Sequence, residues 1–218
     1  MCFSSKYLQF KKIHKKVDTL HIFQLVVTCI VVLFVVGCVS TNNYKIAESL
    51  PKGDYSGGLS VSTVKVTPRN KDSVIIGPHL RYGLSDNVDL ELKYIFGIVG
   101  NVKYTFPIEK EQVVNAFEIG VGGVNDYLYG DGIHNNFYVT YYHTRKLRHG
   151  NHLTLGPKVL VHNIMNDSPQ MAFGGFLNYE IRIGHKLSIV PEVSIHYSPI
   201  KFSNDIVVTS GIALDIRK

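Results

Sequence analysis

The sequence predicts an all-β protein, an up-and-down antiparallel transmembrane β-barrel of about ten strands. Three observations predict it. Apolar and polar residues alternate with period two through most of the chain after Asp54. Turn-forming residues cut that alternation into ten segments. The charged residues of those segments fall almost entirely on one side of the alternation. Successive strand side chains point to opposite faces, so such a chain builds a sheet with one greasy and one charged surface.

Composition narrows the class further. Of 218 residues, 45% are apolar and 18% charged, which excludes a disordered chain. Three cysteines do not make a disulfide scaffold. The net charge of +6 is uneven, because residues 1–37 hold Lys6, Lys11, Lys12, Lys15 and Lys16 against one acid, Asp18. The remainder carries 18 basic and 16 acidic residues (23 − 5 and 17 − 1), a balance with no nucleic-acid footprint.

The lysine-rich start leads into Leu20 to Gly37, a run without Asp, Glu, Lys or Arg. A basic region followed by an apolar one is the pattern of an export signal. Val35-Val36-Gly37-Cys38 resembles the bacterial lipobox. That resemblance implies a lipoprotein signal peptide over 1–37, cleavage after Gly37 and acylation of Cys38, with Val39 rather than Asp next to it implying outer-membrane delivery. Cys2 and Cys29 would leave with the signal, so the body has no thiol nucleophile or Cys-ligated metal. Residues 38–52, rich in Ser, Thr and Asn, read as a flexible tether. Residues 53–218 are the barrel domain.

The alternation is cleanest in Leu187 to Tyr197 and in His152 to His162. In the first, Leu187, Ile189, Pro191, Val193, Ile195 and Tyr197 share a face. In the second, Leu153, Leu155, Pro157, Val159 and Val161 do. Strands are expected near 54–67, 73–83, 88–96, 100–106, 113–123, 136–147, 152–163, 171–183, 187–197 and 206–216. Short links near 85–87, 148–151 and 184–186 alternate with longer ones at 124–135, 164–170 and 198–205. Short periplasmic turns and longer outer loops characterise outer-membrane barrels.

The polar face carries His79, Arg81, Asp89, Glu91, Lys93, Lys103, Glu118, Lys158, Glu180, Arg182, Glu192 and His196. Inside a narrow barrel these pair across the lumen, and the charge-free face meets lipid. Each charge turned toward mid-bilayer would cost about 2–4 kcal/mol. The opposite arrangement, a soluble periplasmic barrel with its apolar face inward and an apolar ligand inside, is the alternative. Aromatics at presumed strand ends suit an interfacial girdle: Tyr82, Tyr94 and Phe96, Tyr104 and Phe106, Tyr127 and Tyr129, Tyr141 and Tyr142, Tyr197 and Phe202.

Three stretches carry a resemblance: Ala47-Glu48-Ser49-Leu50-Pro51-Lys52-Gly53, the hairpin Arg81-Tyr82-Gly83-Leu84-Ser85-Asp86-Asn87-Val88-Asp89-Leu90 with Gly97 to Tyr104 after it, and Leu187 to Val193. Together they resemble uncharacterised small bacterial outer-membrane β-barrel lipoproteins. The resemblance implies a fold and a location and no catalytic residues.

For chemistry, His196-Tyr197-Ser198 resembles the His-x-Ser element of outer-membrane lipid A 3-O-deacylases, where His activates Ser against an ester. The acid that family places about a dozen residues on is here Ser210, so lipid A or phospholipid hydrolysis at His196/Ser198 is an alternative only. His143, His149, His152 and His162 match no metal-ligand spacing. Asp126, Asp131 and His134 resemble rim residues of omptin proteases without the motif. Gly120, Gly122, Gly123, Gly174 and Gly175 precede no helix and make no phosphate loop. The expected function is therefore a structural or surface-interaction role in the envelope without enzymatic activity or cofactor. Its partners are outer-membrane lipids and an envelope or extracellular component met by loops 124–135, 164–170 and 198–205.

Overall fold

The computed structural model describes residues 43–67, 71–94, 97–107, 112–125, 133–162, 169–200 and 203–218. Ten strands form one closed sheet: β1 (Tyr55–Thr67), β2 (Lys71–Ser85), β3 (Val88–Tyr94), β4 (Ile98–Thr105), β5 (Val113–Asn125), β6 (Ile133–Lys146), β7 (His152–His162), β8 (Gln170–Ile183), β9 (Leu187–Ile200) and β10 (Ser203–Arg217). Each pairs with its sequence neighbour, and β1 pairs antiparallel with β10 to close the ring. A single 3₁₀ turn at Arg148–Gly150 links β6 to β7, with His149 at φ 62°. Closure removes the open edges that a sheet in hydrocarbon cannot tolerate.

The outward face of the sheet is apolar. Leu80, Leu92, Val121, Ile195, Ile212 and Ile98 are each more than half exposed. Leu155 and Val193 are also exposed, at 48% and 49%, while Arg81, Asp89, Glu91, Lys103, Glu118, Glu180, Glu192 and His196 are each below 5%. An aqueous protein does the reverse. The soluble barrel with an apolar core is thereby overturned, because the side chains that would form that core point away from the barrel. The sheet is a transmembrane β-barrel.

Polar groups on the outward face satisfy one another. At the β1–β10 seam Thr63 and Ser210 share a hydroxyl–hydroxyl bond of 2.9 Å. Tyr141 and His143 both bond the Asn115 side chain, at 3.0 and 2.8 Å. Outward aromatics collect near the strand ends: Tyr55, Tyr82, Tyr104, Phe106 and Phe117 toward the rim where β1 begins and β10 ends, and Tyr94, Phe173 and Tyr197 toward the other. We call these the terminal and the distal rim. Tyr142, expected in the girdle, instead faces the lumen, fully buried. Tyr127, Tyr129, Phe96 and Phe202 lie outside the described residues.

The ladder is interrupted at two prolines, Pro157 and Pro191. Pairing of β6 with β7 skips Tyr141–Tyr142 opposite Gly156–Pro157, and that of β8 with β9 skips Tyr179–Glu180 opposite Val190–Pro191. Proline has no N–H to donate.

One expected loop needs correction. The 198–205 loop is mostly strand, because Ser198, Pro199 and Ile200 pair with Asp205, Asn204 and Ser203 and leave only 201–202 between β9 and β10. Pro199 and Asn204-Asp205 gave a turn signal that the antiparallel pairing overrides. The rim asymmetry has the exception that the sequence itself carries in the long 107–112 turn. Connections 126–132 and 163–169 lie on the distal rim, but 106–112 on the terminal rim is equally long.

Candidate functional site: the lumen and its strap

The expected flexible tether is not a tether over its second half. Asn43 to Leu50 runs inside the barrel, with Ala47 at 0%, Ile46 and Asn43 at 2% and Lys45 at 3% exposure. An extended segment without a neighbouring strand leaves every backbone N–H and C=O in need of a partner. The lumen's polar side chains supply many of them.

Working from the deep end, the Glu192 carboxylate accepts the N–H groups of Asn43 and Tyr44, the first at 2.7 Å. Lys158 Nζ donates to Asn43 Oδ1 at 3.0 Å, and the Tyr44 hydroxyl meets Ser62 at 2.6 Å. Asn178 donates to the Lys45 carbonyl at 2.8 Å. Lys103 Nζ bridges the carbonyls of Ile46 and Glu48 at 3.0 and 2.8 Å. Ala47 N–H donates to Thr144 at 2.7 Å, and its carbonyl accepts from Thr105 at 2.6 Å. Leu50 N–H donates to Asp89 at 2.9 Å. Gly53, at φ 86°, then turns the chain into β1, a conformation that side chains disfavour. A Cβ at Gly211 in β10 would collide with the Tyr44 hydroxyl and with the Val61 carbonyl and Ser62 Cα of the neighbouring strand, so the position takes glycine.

Charge is matched as closely as the backbone. The Lys45 ammonium sits between the carboxylates of Glu91 and Glu118. Tyr142 also donates to Glu118, at 3.1 Å. Nearer the terminal rim, Asp89 pairs with Arg81 at 2.7 Å and Lys103 at 3.0 Å. There Glu180 meets His152 Nδ1 at 2.7 Å, Arg182 at 3.3 Å and Arg217. At that rim, outside the spanning strands, Glu48 is clamped by Lys146 and Arg182, each at 3.0 Å. Burial alone would raise the Glu48 pKa, but the two cations outweigh it and hold the carboxyl below its ordinary value.

Distal to Asn43 aliphatic residues join the lining: Val64, Ile75, Val99, Leu160, Ala172 and Val207 face inward and are buried, beside Tyr138, Asn136 and His196. The ion pairs named above lie on the terminal side of this level.

The structure separates the other candidates. His196 is buried at 2% within the lumen, opposite Gly174 of β8, so it faces away from bilayer lipid. Ser198 pairs through its backbone with Asp205, and the Ser198 side chain is outside the described residues. His143 faces outward onto Asn115, His149 lies on the exposed 3₁₀ turn, and His152 binds Glu180 at the terminal rim, so these three do not converge. The side chains of His134 and His162, and Asp126, Asp131 and Cys38 as a whole, lie outside the described residues. Sequence reasoning missed the strap residues Asn43, Tyr44, Lys45 and Glu48, and Asp215 on the lumen side of β10. Gly211, a glycine inside a strand, was the available signal for the strap.

No family model matches the chain, and no curated protein matches it. Among solved structures it is similar to Neisserial surface protein A, with 6% identity over 76% of this chain and 99% of that one, at a TM-score of 0.41. It is also similar to the outer membrane protein OprG from Pseudomonas aeruginosa, with 10% identity, 80% and 99% coverage and a TM-score of 0.30. Ail, the attachment invasion locus protein of Yersinia pestis, is similar with 14% identity, 77% and 99% coverage and a TM-score of 0.27. These likenesses extend to the barrel fold and to nothing finer.

Proposed function

We propose that the chain is a lipid-anchored outer-membrane barrel with a structural or surface-interaction role in the bacterial envelope, rather than a pore or an enzyme. One observation carries the reading: the lumen is occupied by the chain's own residues 43–50, held at both ends by ion pairs. A barrel of ten strands is narrow before any strap enters. Ala47, Glu118 and Tyr142 are all at 0% exposure, so the strap is packed against the barrel wall at that level. The closed membrane-facing belt suits an outer membrane, whose spanning proteins are barrels of this kind. In this reading the terminal rim faces the periplasm, and connections 126–132 and 163–169 face the cell surface, where a partner would be met. The placement of His196 inside the lumen speaks against hydrolysis of a bilayer ester.

The test is conductance. Full-length barrel reconstituted in planar bilayers is expected to give a flat trace. A chain lacking residues 43–50 is expected to give discrete openings. A large stable pore from the full chain would overturn the reading. Labelling cells with radioactive palmitate tests the anchor: the label is expected on the parent chain and lost in Cys38→Ala.

A further inference from the structure

At the terminal rim a cavity of about 370 Å³ lies between the β6–β7 turn, the β8–β9 turn and the end of β10. His149, Arg182, His185, Lys186, Ser188 and Arg217 line it, and no described carboxylate does. We propose that this cavity binds a phosphate-type oxyanion, either the phosphate of an anionic phospholipid headgroup or a free phosphate. The proposal needs the barrel's membrane span, but neither its orientation nor processing at Cys38.

The lining is rich in donors. Arg182, Arg217 and Lys186 can only donate. Both guanidiniums are already held in place. Arg182 donates through Nε to Glu180 at 3.3 Å and through Nη2 to Glu48 at 3.0 Å. Arg217 donates through Nε to Asp215 at 3.5 Å and through Nη2 to Glu180. In each, Nη1 donates to no described residue. A planar guanidinium fixed in this way matches the oxygens of a phosphate. The framework is pinned as well. The Arg217 N–H donates to the Lys186 carbonyl at 2.8 Å, and the Arg182 N–H to the Asn151 side chain at 3.2 Å. Those bonds tie the β8–β9 turn to β10 and the β6–β7 turn to β8.

Charge is left over. Lys146, Arg182 and Arg217 match Glu48, Glu180 and Asp215 one for one. Lys186 and Arg148 stand outside that balance, exposed and without an ion pair among the described residues.

A second observation is independent of charge. Ser188 is 2% exposed, and its hydroxyl has no hydrogen-bond partner among the described residues. It lies in register between Arg182 of β8 and Asp215 of β10 and lines the cavity. Buried hydroxyls in folded proteins are nearly always partnered. An oxyanion held by Arg182 and Arg217 supplies the missing acceptor.

Depth favours a phosphate. Leu187 lines the cavity and pairs with Ile183 and Ile216, which face outward at 49% and 55% exposure. The apolar belt therefore reaches the edge of the cavity, where the headgroups of one leaflet begin.

The test uses the full chain refolded in a non-ionic detergent, with heat-modifiable mobility confirming that each variant is folded. Dioleoylphosphatidylglycerol is offered and its retention read by native mass spectrometry. Inorganic phosphate alone is titrated in parallel by calorimetry. One lipid retained per barrel, with no heat from inorganic phosphate, would support the proposal and identify the headgroup as the source. Stoichiometric heat from inorganic phosphate would support it and identify the free anion. Binding is expected to weaken at least about tenfold in Lys186→Glu and roughly three- to tenfold in Ser188→Ala. Lys52→Glu makes the same charge change at an exposed position just before β1 and is expected to bind as the parent does. Equal losses in Lys52→Glu and Lys186→Glu would overturn the proposal, since bulk charge rather than the cavity would then hold the anion. A folded parent that binds neither probe would overturn it too.

Discussion

Replacing Lys45 by methionine is expected to destabilise the barrel by about 3–5 kcal/mol, the usual cost of removing one partner from a buried ion pair. Lys45 is the only cation the strap carries between Asn43 and Leu50, and its ammonium contacts both Glu91 and Glu118. Methionine keeps the length of the side chain and removes the charge. Two carboxylates are then left close together in an interior of low dielectric, with Lys93 at 3.5 Å from Glu91 as the nearest remaining cation. The measurement is the urea midpoint of the refolded barrel in detergent, followed by its heat-modifiable mobility on a gel. The double variant Lys45→Met, Glu118→Gln is expected to recover a large part of the loss, because the surplus negative charge is gone and glutamine still accepts from Tyr142. An unchanged midpoint in Lys45→Met would mean that the strap does not occupy the lumen.

The opposite face gives the second large effect. Ile195→Arg places a cation at an outward, 54%-exposed position in the middle of β9. In water such a substitution is within the small range expected of surface changes. Facing hydrocarbon, it should cost about 2–4 kcal/mol, falling toward zero for the same change near a rim. Arginine at Ile216, the next-to-last residue of β10 and 55% exposed, supplies the rim comparison. Folding into phospholipid vesicles, read by urea titration, should separate the two sites. Equal, negligible costs at both would mean that the belt does not meet a bilayer.

The sheet was legible in the sequence because its signal is local and repeated. Leu187 to Tyr197 alternates without interruption, and the structure places those residues alternately out and in. All ten strands lie close to the expected segments, and the errors fall at the ends. There, Pro199 and Asn204-Asp205 indicate a turn, but pairing across the ladder continues the strands. The inward set was legible for the same reason: Glu118 or Arg81 on the otherwise outward face would have no partner in lipid. The strap was not legible. Its residues have the small polar character of a linker, and what holds them inside is long-range. Asn43 bonds Glu192, 149 residues away, and Lys45 meets Glu118, 73 residues away. No pattern local to 43–50 encodes those partners. The inward aliphatic residues of the distal lumen escaped notice for a related reason. Val64, Ile75, Leu160 and Val207 continue the polar side of their strands in register, but at the distal end that side carries aliphatic residues.

Nitroxide labels with collision reagents test the inside-out arrangement most directly. Labels at Leu155 and Ile195, on the outward face of β7 and β9, are expected in bilayers to collide with oxygen, which partitions into lipid, and to be shielded from a polar nickel chelate. A label at Ser194, buried at 1% in the lumen, is expected to be shielded from both. Free access of the nickel chelate to Leu155 and Ile195, with oxygen showing no preference for them, would contradict the account.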